Sequence, residues 1–352
     1  MINSEETIII NGKKYQKENL PAFLDNSGET ESRKQIFDFL IDWFDASDVI
    51  ITRTSGSTGE PKEIRLTKQA MRNSARMTNA FFGLDSSKTA LLCLPASYIA
   101  GKMMLIRAIV GGFNLITVEP KANPFENLTS EIDFTAITPY QLSYSTEALK
   151  TFPIKNIIVG GGHVNTRLEK LAEKIPANLY ETYGMTETAS HIALRQFNGE
   201  KSEYFSILEG VSIRQDERGC LIIKAPHLTE NELITNDIVE LKDEKSFKWL
   251  GRADSVINSG GVKIFSEQVE KKLETVINNP FFVASLPDDT LGEKVILVIE
   301  GPEDNLSDKL PAILGKYEMP KEIFFSRGFQ YSISNKILKK ETIETILTKL
   351  KH

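Results

Sequence analysis

"TRTSGSTGEPKEI", residues 52–64, gathers glycine, serine and threonine ahead of a lysine. The strand-like run DVIITRT at 48–54 leads into it, and α/β proteins bind ligands at the carboxyl ends of their strands. Backbone N–H groups of small residues can approach phosphate oxygens, and Lys62 adds positive charge. The segment is not a Walker A loop, because Gly56 and Gly59 are three positions apart and Lys62 does not follow the second glycine directly. A Ser/Gly-rich segment alone is often a surface loop, but the whole string predicts a phosphate-binding loop.

Composition places the chain among globular proteins. It has 352 residues, 41% hydrophobic and 26% charged, which is enough for a large core and about two domains. The net charge of −6 argues against a general nucleic-acid binder. Two distant cysteines and four scattered histidines predict neither a disulfide framework nor a metal cluster. Without a signal-like N-terminus or a run of about 18 apolar residues, we expect no membrane span and a cytoplasmic location.

Strand-like and helix-like runs alternate through the first half of the chain. This recurrence predicts βα units and a mainly parallel sheet covered by helices. Residues 178–193 indicate a strand that leads into a polar loop. The other strands are expected at 48–54, 89–95, 114–119, 134–139 and the start of 154–165, and the helices at 68–84, at 101–112 and from the glycine turn to about Lys174.

The pattern changes after about residue 204. Residues 211–226 predict a hairpin, and 251–265 a strand–turn–strand before a helix at 266–277 that Ser266 would cap. We place a domain boundary near residue 253. The predicted fold class is α/β. A large N-terminal domain (1–252) would combine mainly parallel, helix-covered sheets with a small β-structured subdomain, and the small C-terminal domain (253–352) would be α+β and mobile.

An ordered series of motifs runs from residue 48 to the C-terminus. The series resembles the adenylate-forming superfamily, which includes acyl-CoA synthetases, peptide-synthetase adenylation domains and luciferases. In one motif, TND, Asn236 replaces the glycine of the family's T-G-D. After the loop, the motifs are YGMTET (183–188), TND (235–237), GRADSVINSGGVKI (251–264), LPDDTLGEKV (286–295), YEMPKEIFF (317–325) and SISNKILKK (332–340).

The resemblance implies a two-step reaction that uses ATP, Mg²⁺ and coenzyme A. A carboxylate attacks the α-phosphate of ATP to give an acyl-adenylate and pyrophosphate, and a thiol, here of coenzyme A, then displaces AMP. The carboxylate is itself the nucleophile, so catalysis consists mostly of positioning and charge neutralisation. This agrees with a sequence that has no Ser-His-Asp arrangement.

Site roles follow from the resemblance, residue by residue. Lys336 would reach the α-phosphate and carboxylate in the first step, and Asp254 would be the hinge of the mobile domain. Thr186 would contact the α-phosphate, and Glu187 would hold magnesium. The β- and γ-phosphates would lie on Thr54, Ser55, Gly56, Ser57, Thr58, Gly59 and Lys62. Adenine and ribose would contact Gly160, Gly161, Gly162, Tyr183, Gly184, Asp237 and Arg252.

Two further stretches bear on the acid. LPASYIAG (94–101) and TETASHIA (186–193) resemble the o-succinylbenzoate–CoA ligases of menaquinone biosynthesis, although Tyr98 stands where that subfamily usually has a histidine. That substrate carries a second carboxylate, which Arg107 and Ser190 are suited to bind. Alternatively, Arg107 extends to solvent from its helix. His191 would line the acyl pocket or lie beside it.

Several alternatives stay open at this point. Only 51 residues precede Thr52, so we expect an abbreviated N-terminal subdomain, which favours a small aromatic acid over a long acyl chain. The alternative functions are a ligase for another small aryl or short acyl acid, a stand-alone adenylation enzyme that loads a carrier-protein thiol, and a non-catalytic nucleotide-binding protein. Small molecules are the expected partners, and a homodimer is left open.

Overall fold

A computed structural model describes residues 6–25, 30–53, 63–304, 306, 309–331 and 337–350. Within these ranges, no helix is both long and apolar enough to cross a membrane. The helices are α1 (Ala22–Asp25), α2 (Glu31–Phe44), α3 (Lys68–Phe82), α4 (Ile99–Gly111), α5 (Pro139–Leu149), α6 (Thr166–Ala172), α7 (Ser266–Leu273) and α8 (Lys339–Leu350). The strands are β1 (Ile8–Ile10), β2 (Lys13–Tyr15), β3 (Val49–Arg53), β4 (Glu63–Thr67), β5 (Thr89–Leu92), β6 (Asn114–Thr117), β7 (Ile132–Ile137), β8 (Ile154–Val159), β9 (Asn178–Gly184), β10 (His191–Gln196), β11 (Phe205–Ile207), β12 (Ser212–Gln215), β13 (Cys220–Lys224), β14 (Leu233–Asp243), β15 (Ser246–Arg252), β16 (Val256–Ser259), β17 (Val262–Phe265), β18 (Phe281–Asp288), β19 (Gly292–Glu300) and β20 (Glu322–Ser326).

The largest unit is a 13-stranded mixed sheet in the order β12-β13-β14-β15-β11-β10-β9-β8-β7-β5-β6-β1-β2. Its strands from β9 to β1 run parallel to their neighbours, as the alternating βα pattern predicts. Strands such as β7 and β8 are buried at five of their six residues, as expected for parallel strands covered on both faces. The sheet continues antiparallel from β9 to β12, and this part contains the predicted hairpin at 211–226. The α/β fold class is confirmed.

The C-terminal ends of α3 and α4 fall at glycines, as the sequence predicts. α3 begins after Thr67, whose hydroxyl accepts the Ala70 N–H, and it ends at Gly83 with φ of 62°. α4 ends at Gly112, where φ is 68°. Glycine adopts this left-handed conformation without the steric cost that a Cβ atom brings. These ends fix the lengths of the two helices that pack against each other near the candidate site.

Strand β3 differs from its predicted place in the main sheet. It pairs antiparallel with β4 in a separate two-stranded ribbon. Ile50 and Leu66 are buried whereas Ile51 is exposed, so the ribbon has one covered face, unlike a central parallel strand. Residues 54–62 therefore connect two strands of a ribbon rather than a parallel strand and its helix.

Strand β10 occupies part of what the sequence indicated as a polar loop. Its sequence, HIALRQ, is buried over His191–Arg195 and pairs antiparallel with β9. Its polar side chains have buried partners, since His191 lies beside Thr78 and Arg195 is paired with Glu181. Long-range partners of this kind conceal a strand when the sequence is considered locally.

A second, five-stranded sheet follows the turn Ala253–Ser255 and has the order β17-β16-β19-β18, with β20 parallel to β19. α7 packs against it over buried Val269 and Leu273. The predicted cap is wrong, because Ser266 is the first helical residue and its hydroxyl donates to the Ser255 carbonyl instead. The change of sheet falls where the sequence suggested a domain boundary, and the boundary itself stays a prediction.

Candidate active site

The carboxylate of Asp237 joins three strands of the large sheet. Tyr183, at the end of β9, donates its hydroxyl to Asp237 Oδ2 at 2.7 Å. Trp249 Nε1 donates to Oδ1 at 3.3 Å, and Arg252 Nη1 lies 3.8 Å from the same oxygen. Burial and the Asp237 carboxylate raise the pKa of Tyr183, so the phenol stays protonated. The structure thus brings together three residues, Tyr183, Asp237 and Arg252, that the motifs assigned to the nucleoside.

Arg252 also contacts the predicted hinge. Its Nε and Nη2 donate to the two carboxylate oxygens of Asp254 at 3.0 and 3.2 Å. This hydrogen bonding raises the pKa of Arg252 and lowers that of Asp254, so both groups are charged near neutral pH. Glu267 from α7 accepts the Arg252 backbone N–H at 3.4 Å. Arg252, one of the two residues assigned to the ribose, therefore contacts both the turn before the second sheet and the helix α7.

The glycine turn at 160–162 lies against β9. A Cβ atom added to Gly160 would be 2.5 Å from Thr182 Oγ1, and Gly161 has φ of 80°. Val164, just after the turn, donates its N–H to Glu181 at 2.9 Å. The turn thus reaches the strand that carries Tyr183, as the adenine assignment requires.

Buried charges hold this turn in place. Glu181 accepts from His163 Nδ1 at 3.0 Å and from Arg195 Nη2 at 2.6 Å. Arg195 also pairs with Glu169 on α6 at 2.8 Å. Burial alone would raise the pKa of Glu181, but His163, Arg195 and the Val164 N–H lower it to about 2. These contacts hold His163 and Val164, which directly follow the glycine turn, against β9.

The turn Thr186–Thr188 presents the candidate metal ligand. Glu187 is exposed there, and among the described residues its carboxylate has no hydrogen-bond or ion-pair partner. Thr186 is half-buried beside it, and the turn packs next to β4. In the described part of the chain no three His, Cys, Asp or Glu side chains are grouped as metal ligands. A single carboxylate nevertheless fits Mg²⁺, which is often held by one or two carboxylates, phosphate oxygens and water.

Gly184 permits a close approach between the two ends of this turn. A Cβ atom at Gly184 would be 2.4 Å from the Ser190 carbonyl oxygen and 2.5 Å from His191 Cα. Ala189, just before Ser190, has a left-handed φ of 61°, which is uncommon for a residue with a Cβ. The tight geometry carries Ser190 and His191 inward toward α4.

Arg107, on α4, is buried and lacks an anionic partner. Its side chain is among the largest in the core, with 1% of the residue exposed. Nη2 donates to Ser190 Oγ at 2.8 Å, Nη1 contacts Met104 Sδ at 3.5 Å, and Nε has no partner. No carboxylate of the described residues lies within ion-pair distance, and burial lowers the pKa of Arg107 to about 9. The group is therefore still charged at neutral pH. Because the side chain is buried, the alternative of an arginine that extends to solvent is wrong.

His191 is buried beside this arginine. Its Nδ1 lies 3.3 Å from Ser190 Oγ, and its Nε2 lies 3.3 Å from Thr78 Oγ1. Burial and the nearby charge of Arg107 lower its pKa well below the usual value, which keeps the imidazole neutral. The structure therefore groups Arg107, Ser190 and His191, as expected for an acyl site.

Tyr98 does not lie with Arg107, Ser190 and His191. Tyr98 is 56% exposed at the N-cap of α4, and a helical rise of about 1.5 Å per residue puts it roughly 13 Å from Arg107 along the axis. Lys336 lies outside the described residues. So do the predicted phosphate-loop residues Thr54, Ser55, Gly56, Ser57, Thr58, Gly59 and Lys62.

Three contacts were not anticipated from the sequence. Trp249 donates to Asp237, Thr78 contacts His191, and Glu267 approaches the backbone of Arg252. For Thr78 a signal existed, because Ser74 and Thr78 are four positions apart on the face of α3 that also carries buried Met71 and Ala75. Polar residues on a buried helical face require partners, and those partners mark a site.

Comparisons with known proteins agree with this fold. A family model described as AMP-binding enzyme matches residues 5–214. A 2-succinylbenzoate–CoA ligase of Lactococcus lactis subsp. lactis (strain IL1403) is 26% identical over 324 residues, which covers 85% of this chain and 72% of the relative. A 2-succinylbenzoate–CoA ligase of Bacillus cereus (strain ATCC 10987 / NRS 248) is 27% identical over 335 residues, with 83% and 69% covered.

Two of the solved structures that share this fold cover most of the chain. An acyl-CoA synthetase (AMP-forming)/AMP-acid ligase II-like protein from Dyadobacter fermentans DSM 18053 is 34% identical, with 94% of this chain and 98% of that chain covered and a TM-score of 0.61. O-succinylbenzoate coenzyme A synthetase from Bacillus subtilis, in complex with ATP and magnesium ion, is 22% identical, with 83% and 69% covered and a TM-score of 0.71.

The fold and these matches define an AMP-forming acid–thiol ligase, as the motifs predicted. The chain belongs to the AMP-binding enzyme family, because the family model matches more than half of it.

Proposed function

We propose that the protein joins o-succinylbenzoate to coenzyme A with ATP, as a step of menaquinone biosynthesis. The observation that carries the choice of acid is the buried guanidinium of Arg107, which has no anionic partner among the described residues. An unpaired buried charge is costly, and a ligand carboxylate would relieve that cost. The relatives named 2-succinylbenzoate–CoA ligases support the same choice.

The acid would bind with its second carboxylate at Arg107. The free Nε of Arg107 and the rest of its guanidinium edge can donate to a carboxylate in a charge-assisted, two-point contact. Ser190 and His191 would form the neighbouring wall, since both contact this group of side chains. Tyr98 is not part of this contact because it lies near the exposed start of α4.

The nucleotide would occupy the other group of residues. Tyr183 and the glycine turn at 160–162 would hold adenine, with Gly184 allowing the chain to turn beside it. Asp237 would accept from the ribose hydroxyls and Arg252 would donate to them. The cluster already holds Asp237 as a hydrogen-bond acceptor between Tyr183 and Trp249, which supports this orientation.

The remaining predicted residues would hold the phosphates of ATP and neutralise their charge. Mg²⁺ at Glu187 would neutralise phosphate charge in the first step. Thr186 would contact the α-phosphate, while the loop residues Thr54 to Lys62 would hold the β- and γ-phosphates. Lys336 would contact the α-phosphate and the attacking carboxylate. A swing of residues 253–352 about Asp254 would then open the adenylate to the thiol of coenzyme A, a domain rotation of a known kind.

The test is an assay of the full chain with ATP, Mg²⁺ and a panel of acids, with and without coenzyme A. We expect o-succinylbenzoate to give AMP release that depends on coenzyme A. Benzoate, a short aliphatic acid and a fatty acid are the comparison substrates. If one of these is activated and o-succinylbenzoate is not, the substrate proposal is wrong. Pyrophosphate release without thioester formation would instead indicate an adenylation enzyme that uses a carrier-protein thiol.

A further inference from the structure

A row of buried polar side chains connects α3 to the guanidinium of Arg107. Arg107 Nη2 lies 2.8 Å from Ser190 Oγ, and Ser190 Oγ lies 3.3 Å from His191 Nδ1. His191 Nε2 is 3.3 Å from Thr78 Oγ1, which lies 3.2 Å from the Ser74 carbonyl oxygen. Thr78 has no exposed surface and Arg107 has almost none, so water does not compete freely at the two ends of the row.

The chemistry of the end groups sets the direction of these hydrogen bonds. A carbonyl oxygen only accepts, so the bond to Ser74 uses the single hydroxyl proton of Thr78. The Thr78 oxygen must then accept at His191, which requires a proton on Nε2. A neutral imidazole protonated at Nε2 has Nδ1 as an acceptor. Burial and the charge of Arg107 keep His191 neutral, in agreement with this assignment.

The other end of the row agrees with the same direction. Ser190 donates its hydroxyl proton to His191 Nδ1, so its oxygen is free to accept from Arg107, which can only donate. In the reverse direction, Thr78 would donate to His191 and leave the Ser74 contact unmade. Ser190 would then accept from both His191 and Arg107, and its own proton would have no acceptor in the row. The first arrangement gives the protons of Thr78, His191 and Ser190 an acceptor each.

We propose that Thr78 is a positioning residue for the acid, because it fixes His191 as the Nε2–H tautomer and thereby orients Ser190 as an acceptor for Arg107. The row holds the guanidinium by neutral atoms only. It therefore orients the positive charge without neutralising it, and it leaves Arg107 Nε without a hydrogen-bond partner in the described residues. The identity of that acid rests on the proposed function, whereas the tautomer of His191 does not.

The direct test reads the tautomer of His191 in the full chain. The protein is labelled with ¹⁵N-histidine, and long-range ¹H–¹⁵N correlations distinguish Nε2–H, Nδ1–H and imidazolium forms. The chain has four histidines, and the spectrum of His191→Gln assigns the signal of His191. We expect the Nε2–H form in the unaltered protein and in Thr78→Ser. An Nδ1–H form or an imidazolium at neutral pH would overturn the proposal, even if Thr78→Val does not fold.

Kinetics test the consequence for the acid. Thr78→Val keeps the shape of the side chain and removes the hydroxyl, so we expect the KM for o-succinylbenzoate to rise roughly tenfold with a small change in kcat. The KM for ATP should stay the same, and Thr78→Ser should restore the KM for the acid. Equal effects on the KM values of ATP and acid, or no effect, would contradict a positioning role. Absence of turnover with o-succinylbenzoate in the unaltered protein would count against the substrate proposal alone, because the spectrum still decides the tautomer.

Discussion

The guanidinium of Arg107 contacts Ser190 and Met104 but no carboxylate of the described residues, so its charge can be removed without leaving a charged partner. We predict that Arg107→Met raises the KM for o-succinylbenzoate by about 10- to 100-fold, the cost of a lost charge-assisted hydrogen bond. The KM for ATP should change little. Steady-state kinetics with each substrate varied in turn give both values. An unchanged KM for the acid would remove Arg107 from the site.

Arg195 provides a matched control for that variant. It is also buried, but it pairs with Glu181 and Glu169. Arg195→Met would leave buried carboxylates without their cation, so it should lower the stability of the protein rather than change the KM for the acid selectively. A selective KM effect in Arg195→Met would show that buried positive charge in general, and not the position of Arg107, controls acid binding.

Glu181 gives a prediction about pH. Its pKa is lowered to about 2 in the folded protein from a usual value of 4.5, so its contribution to stability is present above about pH 4.5 and is lost as pH falls toward 2. We expect Glu181→Gln to be less stable than the unaltered protein at pH 7 by on the order of 2–3 kcal/mol. The difference should shrink below pH 4.5. Urea unfolding between pH 3 and 7 measures it, and a difference independent of pH would contradict the assignment.

At the scale of residues, the motifs predicted the nucleoside group better than the wall of the acyl site. Tyr183, Asp237 and Arg252 lie together because the pairing of β14 with β15 sets Asp237 opposite Arg252. Thr78 was missed because its importance depends on His191, which is distant in sequence and meets it only through packing. Tyr98 was grouped with Arg107 by the resemblance of residues 94–101 to one subfamily, but the length of the helix separates them.

At the scale of elements, the turn between β9 and β10 is the most constrained part of the site. We predict that Gly184→Ala displaces Ser190 and His191, because the added Cβ would meet backbone atoms at 2.4 and 2.5 Å that cannot move independently. The variant should lose stability and most acid binding. Thermal unfolding and the KM for the acid measure the two effects.

Gly162→Ala, in the glycine turn after β8, is the matched control for Gly184→Ala. Its added Cβ would approach only Pro139, at 3.4 Å, and its φ does not lie in the left-handed region. We expect near-normal stability and acid binding in this variant. If Gly162→Ala and Gly184→Ala behave alike, the crowding at Gly184 does not determine the geometry of the acyl wall.

Local sequence patterns are sufficient to predict the helices α3 and α4 but not the pairing of the strands β3 and β10. α3 and α4 lie within two residues of their predicted bounds, since glycine stops and amphipathic spacing are local properties. β3 was misplaced because it pairs antiparallel with the next strand, β4, instead of joining the large sheet. β10 was misplaced because its polar residues are buried by partners that lie on other elements.

At the scale of the whole molecule, the two sheets are joined by a few polar contacts. Glu274, just after α7, accepts the Thr166 backbone N–H at 2.8 Å, and Gln268 donates to the Leu250 carbonyl at 2.9 Å. Contacts of this kind can be exchanged for others at modest cost, in agreement with the proposed domain swing. The domain boundary and the hinge at Asp254 stay predictions, and a homodimer stays open.

Lys336 tests the swing by separating the two steps. The motif predicts a role for its charge in the first step only, so Lys336→Ala should slow adenylation by at least about 100-fold. Thioester formation from supplied acyl-adenylate should be largely retained. Single-turnover measurements with ATP plus acid, and with acyl-adenylate plus coenzyme A, give the two rates. Lys339→Ala is a neighbouring control, and equal loss of both steps in Lys336→Ala would contradict the two-conformation mechanism.

The unneutralised charge of Arg107 also has a thermodynamic consequence for the empty enzyme. A buried cation held by neutral atoms lowers the stability of the unliganded fold, so binding of the acid should act as a stabiliser of the native state. We expect o-succinylbenzoate to raise the Tm of the unaltered protein by a few degrees. Arg107→Met should have a higher Tm than the unaltered protein when both are empty, and it should show no shift with the acid. Differential scanning calorimetry would thus expose a trade-off between stability and activity, in which the enzyme retains a less stable resting state in order to recognise an anion.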